Sequence, residues 1–261
     1  MNSGRKPRRA EWLGNHQRSW LWGRNLVCET VRSQNWPIVE LWLADDLPRD
    51  LVDELTSLAT SRWGCAVHRG SRQNLDRLCH ESSHQGCLAR MGPFPYCELQ
   101  QIVSEGRSNP ALLVLDGIQD SFNLGAMVRS AAAFGIQGLL LGTQGQSPIT
   151  SQAARSSAGA VNRLPIARAE SLPLALRGLR ERGVRVFGTD PHAGTPLPQC
   201  DLRGAIAVVL GNEARGVSPE VWECCSDRLR IPLNSEVESL NAAAAAALVA
   251  YECWRQRVEA A

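Results

Sequence analysis

The sequence predicts an α/β protein: a parallel sheet with helices on both faces, preceded by a smaller α/β domain. Three observations carry this. Strand-length apolar runs alternate with helix-length stretches through the second half, the pattern of a sheet covered on both faces. Two of those runs, Ala111–Leu115 and Ala205–Leu210, are continuously apolar, as buried parallel strands are. Composition also shifts along the chain, because six of the eight tryptophans fall before residue 64.

The 261 residues suffice for two domains, and the 44% apolar content suffices for a core. In the first half, Val27–Arg32 predicts a short helix, Ile38–Leu43 a strand and Leu51–Thr60 an amphipathic helix. Ala66–His68 follows as a short strand and Ser71–Cys79 as a helix. Gly92, Pro93 and Pro95 then interrupt regular structure and predict a linker. The expected layout is a basic flexible tail over 1–14, a domain over 15–90, a linker over 91–108 and a second domain over 109–261.

In the second domain Ala111–Leu115 leads through Asp116-Gly117 to a helix over Asn123–Phe134, with Gly135 at its end. Gly138–Leu141 is the second strand, Leu172–Glu181 a helix and Val184–Phe187 the third strand. Ala205–Leu210 runs into Gly211-Asn212-Glu213, and Ser218-Pro219-Glu220 has the form of a helix start. Leu229–Ile231 predicts a short strand and Ser239–Arg257 the longest helix, which includes six consecutive alanines.

Composition excludes several chemistries. Lys6 is the only lysine among 28 basic residues, so a Schiff-base or phosphate-loop lysine would have to sit in the tail. Residues 1–24 carry Arg5, Lys6, Arg8, Arg9, Arg18 and Arg24 against Glu11; such an arm suits phosphate contacts or serves as a solvated tail. The nine cysteines are odd in number and contain no C-x-x-C, which argues against a disulfide framework or a zinc ribbon and predicts reduced thiols in a cytoplasmic protein. No apolar run has the ~18 residues of a membrane span, and no signal-peptide core follows the basic start. No G-x-G-x-x-G occurs, and Arg155-Ser156-Ser157-Ala158-Gly159 lacks the first glycine of a nucleophile elbow. His80, His84 and Cys87 lack a fourth ligand at suitable spacing, so no metal is expected.

Three polar segments stand at the ends of predicted strands, where α/β proteins place ligands: residues 123–129, 210–216 and 231–241. Singly, each has a structural reading: Asn123 as a helix cap, Gly211 and Gly216 as turn residues, Ser239 and Asn241 as caps of the terminal helix. Together, Asn123-x-Gly125 with Arg129, Leu210-Gly211-Asn212-Glu213 with Gly216, and Ile231-Pro232 with Ser239-Leu240-Asn241 resemble the three motifs of the SpoU (TrmH-type) RNA 2′-O-ribose methyltransferases of the SPOUT superfamily. Ser157-Ala158-Gly159-Ala160 resembles the family's small-residue turn. Gly23-Arg24-Asn25 and His84-Gln85-Gly86 resemble the ends of its substrate-binding domain. The chain departs from the family at Ala214, Ser235 and Ala242, where glycine, glycine and valine are usual.

The resemblance implies a C-terminal trefoil knot, an exception to the rule that chains do not thread loops, and a ribosomal-protein-like RNA-binding domain ahead of it. It implies S-adenosylmethionine as cofactor, held by Thr189, Leu210, Gly211, Asn212, Gly216, Ile231, Pro232, Ser239 and Leu240. Ile231 and Leu240 would sandwich its adenine. Arg129, Asn123, Glu213, Ser239 and Asn241 would be the catalytic residues. Arg129 is the base in some accounts of the family; a group that deprotonates only above about pH 12 suits a clamp on ribose and phosphate better. The implied substrate is RNA, ribosomal in preference to transfer RNA and at guanosine, and the implied assembly is a homodimer through the catalytic domain. Alanines of the terminal helix with Trp222, Tyr251 and Trp254 offer the contact. The remaining alternative is an RNA-binding or ribosome-assembly protein without turnover.

Overall fold

A computed structural model describes residues 20–104 and 109–259. The expected tail, 1–14, lies outside the described residues, as do positions 15–19 of the expected first domain and 105–108 of the expected linker. The chain divides into two compact units, Met1–Pro95 and Tyr96–Ala261.

In the first unit β1 (Trp20–Trp22), α1 (Arg24–Ser33), β2 (Ile38–Ala44), α2 (Arg49–Trp63), β3 (Ala66–Gly70), α3 (Arg72–Cys79) and β4 (Cys87–Met91) follow one another. The sheet order is β1-β4-β2-β3, with β2 and β3 parallel and the other pairs antiparallel. Strands β1 and β4 are not apparent in the sequence. Three residues are too few to show alternation, and Cys-Leu-Ala-Arg-Met carries no β-branched side chain, so only pairing with β2 makes it a strand. Helix α1 begins at Arg24, three residues before its expected start, because Gly23 at φ 102° supplies the turn without a side-chain cap. Ser71 caps α3 by accepting a hydrogen bond from the Asn74 amide. His84 is buried, accepts from the Gly86 amide through Nδ1 and donates from Nε2 to Asp76, so both ring nitrogens serve the fold.

The second unit starts inside the expected linker. Cys97 bridges to Ala167, and α4 (Leu99–Ser104) buries Ile102 against Gly138. The prolines break the chain only up to Pro95; beyond it, Leu99, Ile102 and Val103 have apolar surface to bury. The unit continues with β5 (Ala111–Asp116), α5 (Ser121–Ala133), β6 (Gly138–Leu141), α6 (Ser151–Ser156), β7 (Ile166–Arg168) and α7 (Leu172–Glu181). It ends with β8 (Arg185–Thr189), β9 (Ile206–Gly211), α8 (Pro219–Trp222), β10 (Asp227–Leu229) and α9 (Ala242–Val258). Every pairing in the order β10-β8-β9-β5-β6-β7 is parallel. On one face, Leu112, Val114, Val186, Ala207 and Val209 pack with Leu172, Leu176 and Leu179 of α7. The other face meets α9, which also packs on α5. The order reverses between β5 and β9, which makes their C-terminal ends the switch point where such sheets bind ligands.

Other expected boundaries move as well, and for local reasons. Helix α5 starts at Ser121 because Asp120 caps it, accepting from the Phe122 and Asn123 amides. Helix α9 starts at Ala242, not Ser239, because Asn241 is its cap and accepts from the Ala243 and Ala244 amides. Strand β10 spans Asp227–Leu229 in place of Leu229–Ile231, since β8 has partners for those residues only. Helix α6 and strand β7, both short, have no sequence counterpart. All nine cysteines are free thiols. Among the described residues no helix is long and apolar enough to cross a membrane.

The end of α9 is bolted to the loops beside it. Gln256 accepts from the Leu202 amide and donates to the Cys200 carbonyl and Glu252, while Arg257 donates to the carbonyls of Asn109, Leu202 and Gly204. Glu252, 7% exposed, accepts two hydrogen bonds from Arg255, which hold its carboxyl below the usual glutamate range. A lowered pKa stabilises the fold above the unfolded-state value, and that stability fades as pH falls through the folded value. Glu252→Gln should therefore cost about 1–2 kcal/mol at neutral pH. In melting curves recorded across pH, the gap to wild type should close in acid; a gap independent of pH would contradict this.

Candidate functional site

An open cavity of about 420 Å³ lies at the C-terminal ends of β8 and β9. Its lining includes Thr189, Leu210, Gly211, Asn212, Glu213, Gly216, Ile231, Ser239 and Leu240. Of the residues expected around the cofactor only Pro232 stands outside the lining, exposed on the loop beyond Ile231.

The floor is a tight backbone loop. Asn212 and Gly216 exchange two backbone hydrogen bonds of 2.8 and 3.0 Å, closing a turn with Gly216 at φ 68°. Gly211 lies so close beneath the turn that a Cβ there would collide with Gly216 and the Val217 nitrogen. Asn212 uses its side chain to hold the loop: Nδ2 donates to the Gly117 carbonyl at 2.9 Å and Oδ1 accepts from the Ala214 and Arg215 amides. That side chain is thereby committed to the loop, and the Asn212 backbone to the cavity's turn. Asp116 was not apparent from the sequence; it accepts from the Ser218 amide at 2.7 Å and ties the far side of the loop to the end of β5. The one signal for it is its place at the end of an apolar strand. The Thr189 hydroxyl donates to the Val209 carbonyl and so turns toward the sheet.

At the rim three side chains from distant segments meet. Asn241 Nδ2 donates to Asn123 Oδ1 at 3.1 Å, and Asn123 Nδ2 donates to Glu213 Oε1 at 2.8 Å. Because Asp120 takes over capping of α5, the Asn123 side chain is free to make this link. Gly125, two residues on, lets α6 pack closely: a Cβ there would strike Ser156 and the Ala153 carbonyl. Ser239 is exposed in the loop before α9. Arg129 is not gathered with the others. It is exposed, lies six residues along α5 from Asn123, and lines a separate groove of about 650 Å³ with Arg163, Ser157 and Ala158. Trp222, offered above as a dimer contact, instead lines the 420 Å³ cavity, since α8 turns it over β8.

Apolar Leu210, Val217, Ile231 and Leu240 with a close backbone loop suit a flat purine, and the carboxylates of Asp190, Glu213 and Glu238 suit a cationic centre. An S-adenosyl sulfonium compound has both.

Residues 110–251 match the model of the SpoU rRNA methylase family, and residues 20–97 match that of the RNA 2′-O ribose methyltransferase substrate-binding domain. The chain belongs to the SpoU rRNA methylase family. As a SpoU methylase it is an RNA methyltransferase, and S-adenosylmethionine is the family's methyl donor. It is 39% identical over 239 residues to an uncharacterized tRNA/rRNA methyltransferase of Mycolicibacterium vanbaalenii, covering 90% of this chain and 76% of that one. It is 32% identical to YacO of Bacillus subtilis, named as a TrmH family tRNA/rRNA methyltransferase, covering 92% and 97%. Among solved structures, its fold resembles that of the SpoU methyltransferase AviRb of Streptomyces viridochromogenes in complex with AdoMet. The TM-score is 0.77 at 23% identity, over 92% of this chain and 90% of that one.

Gly211→Ala should weaken binding of S-adenosylhomocysteine by at least about ten-fold, or ~1.4 kcal/mol. Gly194→Ala, whose added Cβ meets nothing within 4 Å, is the control. Calorimetric titration decides; equal affinities for the two variants would contradict the close approach.

Proposed function

We propose that this SpoU methylase transfers the methyl group of S-adenosylmethionine to a ribose 2′-hydroxyl, in ribosomal RNA in preference to transfer RNA and at guanosine. The observation that supports it most is the Asn241–Asn123–Glu213 chain at the rim of the cavity. The cofactor supplies an electrophilic methyl carbon on a sulfonium. Thr189, Leu210, Gly211, Asn212, Gly216, Ile231, Pro232, Ser239 and Leu240 are assigned to holding it, chiefly through backbone and apolar surface. Asn123, Glu213, Ser239 and Asn241 are assigned to positioning the acceptor hydroxyl, and alignment of that oxygen with the methyl carbon supplies most of the rate. Arg129 is assigned to clamping ribose and phosphate with its planar donor fork.

Arg129 stands apart from the cavity within one chain, which favours a homodimer whose second copy brings it there. An apolar patch gives that copy a place to sit. Phe134, Tyr251 and Trp254 cluster with ring centroids 5.5 to 6.4 Å apart, and Leu248 and Val258 are also exposed. The knotted C-terminal path belongs to the same reading. β10 pairs at the sheet edge while α9 returns to β5 and β9, so the intervening chain must cross back. A substrate-binding domain over 15–90 and a basic tail over 1–14 complete the proposal, in a cytoplasmic setting.

Arg129→Ala should abolish methyl transfer to ribosomal RNA while changing cofactor affinity by no more than about three-fold, and Arg129→Lys should also be poor. Mixing inactive Arg129→Ala and Asn241→Ala chains should restore part of the activity through mixed dimers. Mapping of 2′-O-methyl groups on ribosomal and transfer RNA incubated with the protein reads the substrate. Methylation confined to transfer RNA would overturn the ribosomal assignment.

A further inference from the structure

Trp222 lines the cavity from α8. Helix α8 starts at Ser218-Pro219, is tied to β5 through Asp116, and ends on Trp222. Its neighbours Val221 and Cys224, 2% and 1% exposed, fill the core, whereas Trp222 is only half-buried and faces the cavity.

The indole is held on two sides. Beneath it is Gly188 of β8, where any Cβ would overlap the benzene half of the ring. From the neighbouring strand the Arg228 guanidinium lies 4.6 Å from a ring centroid, within cation–π range, and Arg228 is itself paired with Asp190 at 3.4 Å. Asp190 also lines the cavity.

Position along the sheet indicates what Trp222 meets. The acceptor-side chain of Asn123, Glu213 and Asn241 is gathered beside β5 and β9, while Trp222 lies over β8, on the far side of β9 from β5. Two strand spacings are about 10 Å. With the reacting sulfonium near Glu213, the part of the cofactor that extends toward β8 meets an aromatic wall shared with Leu210 and Ile231. Such a wall suits a flat purine and not a zwitterionic amino acid.

We propose that Trp222, braced by Gly188 and Arg228, is the wall of the cofactor cavity that contacts the adenine. The proposal rests on the methyl-donor reading of that cavity. It is tested with adenosine and S-adenosylhomocysteine as probes on the full chain, each variant first shown to be folded by its melting curve. Trp222→Leu should raise the dissociation constants of both probes by at least about five-fold and by similar factors. Wild-type tryptophan fluorescence should change on adding adenosine, and Trp222→Phe should lose that change while still binding. Gly188→Ala should push the indole into the cavity and abolish binding; Gly188→Ala combined with Trp222→Leu should recover the affinity of Trp222→Leu alone. A folded Trp222→Leu chain that binds adenosine within about two-fold of wild type would overturn the proposal. So would a loss confined to S-adenosylhomocysteine, which would put Trp222 beside the amino-acid end. Wild-type protein that binds neither probe would overturn the methyl-donor reading as well.

Discussion

Helix α9 ends the chain, yet its first amides reach the centre of the site through a line of hydrogen bonds. The Ala243 and Ala244 amides donate to Asn241, Asn241 donates to Asn123, and Asn123 donates to Glu213. Every donor points the same way, from the positive end of a 17-residue helix to a carboxylate, so each bond polarises the next. The line joins segments 118 and 90 residues apart and crosses from α9 to α5 to the loop after β9. Much of the surrounding structure serves it. Asp120 caps α5 so that Asn123 need not, and Gly125 lets α6 press against that helix. Glu252, Gln256 and Arg257 fix the other end of α9.

The sheet supplies the second constraint. Reversal of strand order between β5 and β9 leaves a crevice at their C-terminal ends, and the Gly211–Gly216 turn fills it with backbone. Asn212 and Asp116 spend their side chains on holding that turn to β5. Gly211, Asn212 and Glu213 are thus held in place beside the end of β5.

Legibility in the sequence followed burial. Continuous apolar runs such as Ala111–Leu115 and Ala205–Leu210 marked central parallel strands within a residue, since burial on both faces leaves nothing but apolar positions. Strands of three to five residues with a mixed composition, β1, β4 and β7, left no pattern because pairing alone makes them strands. The motif positions were visible through the resemblance, but what holds them was not. Asn241 caps α9, one of the two residues the sequence offers for that place, whereas Asp120 as the cap of α5 and Asp116 as the loop tie depend on where side chains point in three dimensions. Arg129 looks like a neighbour of Asn123 in the sequence, yet six residues of helix carry it to another groove. Trp222 read as apolar surface because nothing in its local sequence shows that Gly188 makes room for it.

The central claim is that Asn241, Asn123 and Glu213 act as one unit, with Asn123 bonded directly to both of the others. A double-mutant cycle on methyl transfer measures it directly, comparing wild type, Asn123→Ala, Asn241→Ala and the double variant. The account predicts strong non-additivity, with the second substitution adding little to the first and a coupling free energy of about 1 kcal/mol or more. Losses that simply add would contradict it.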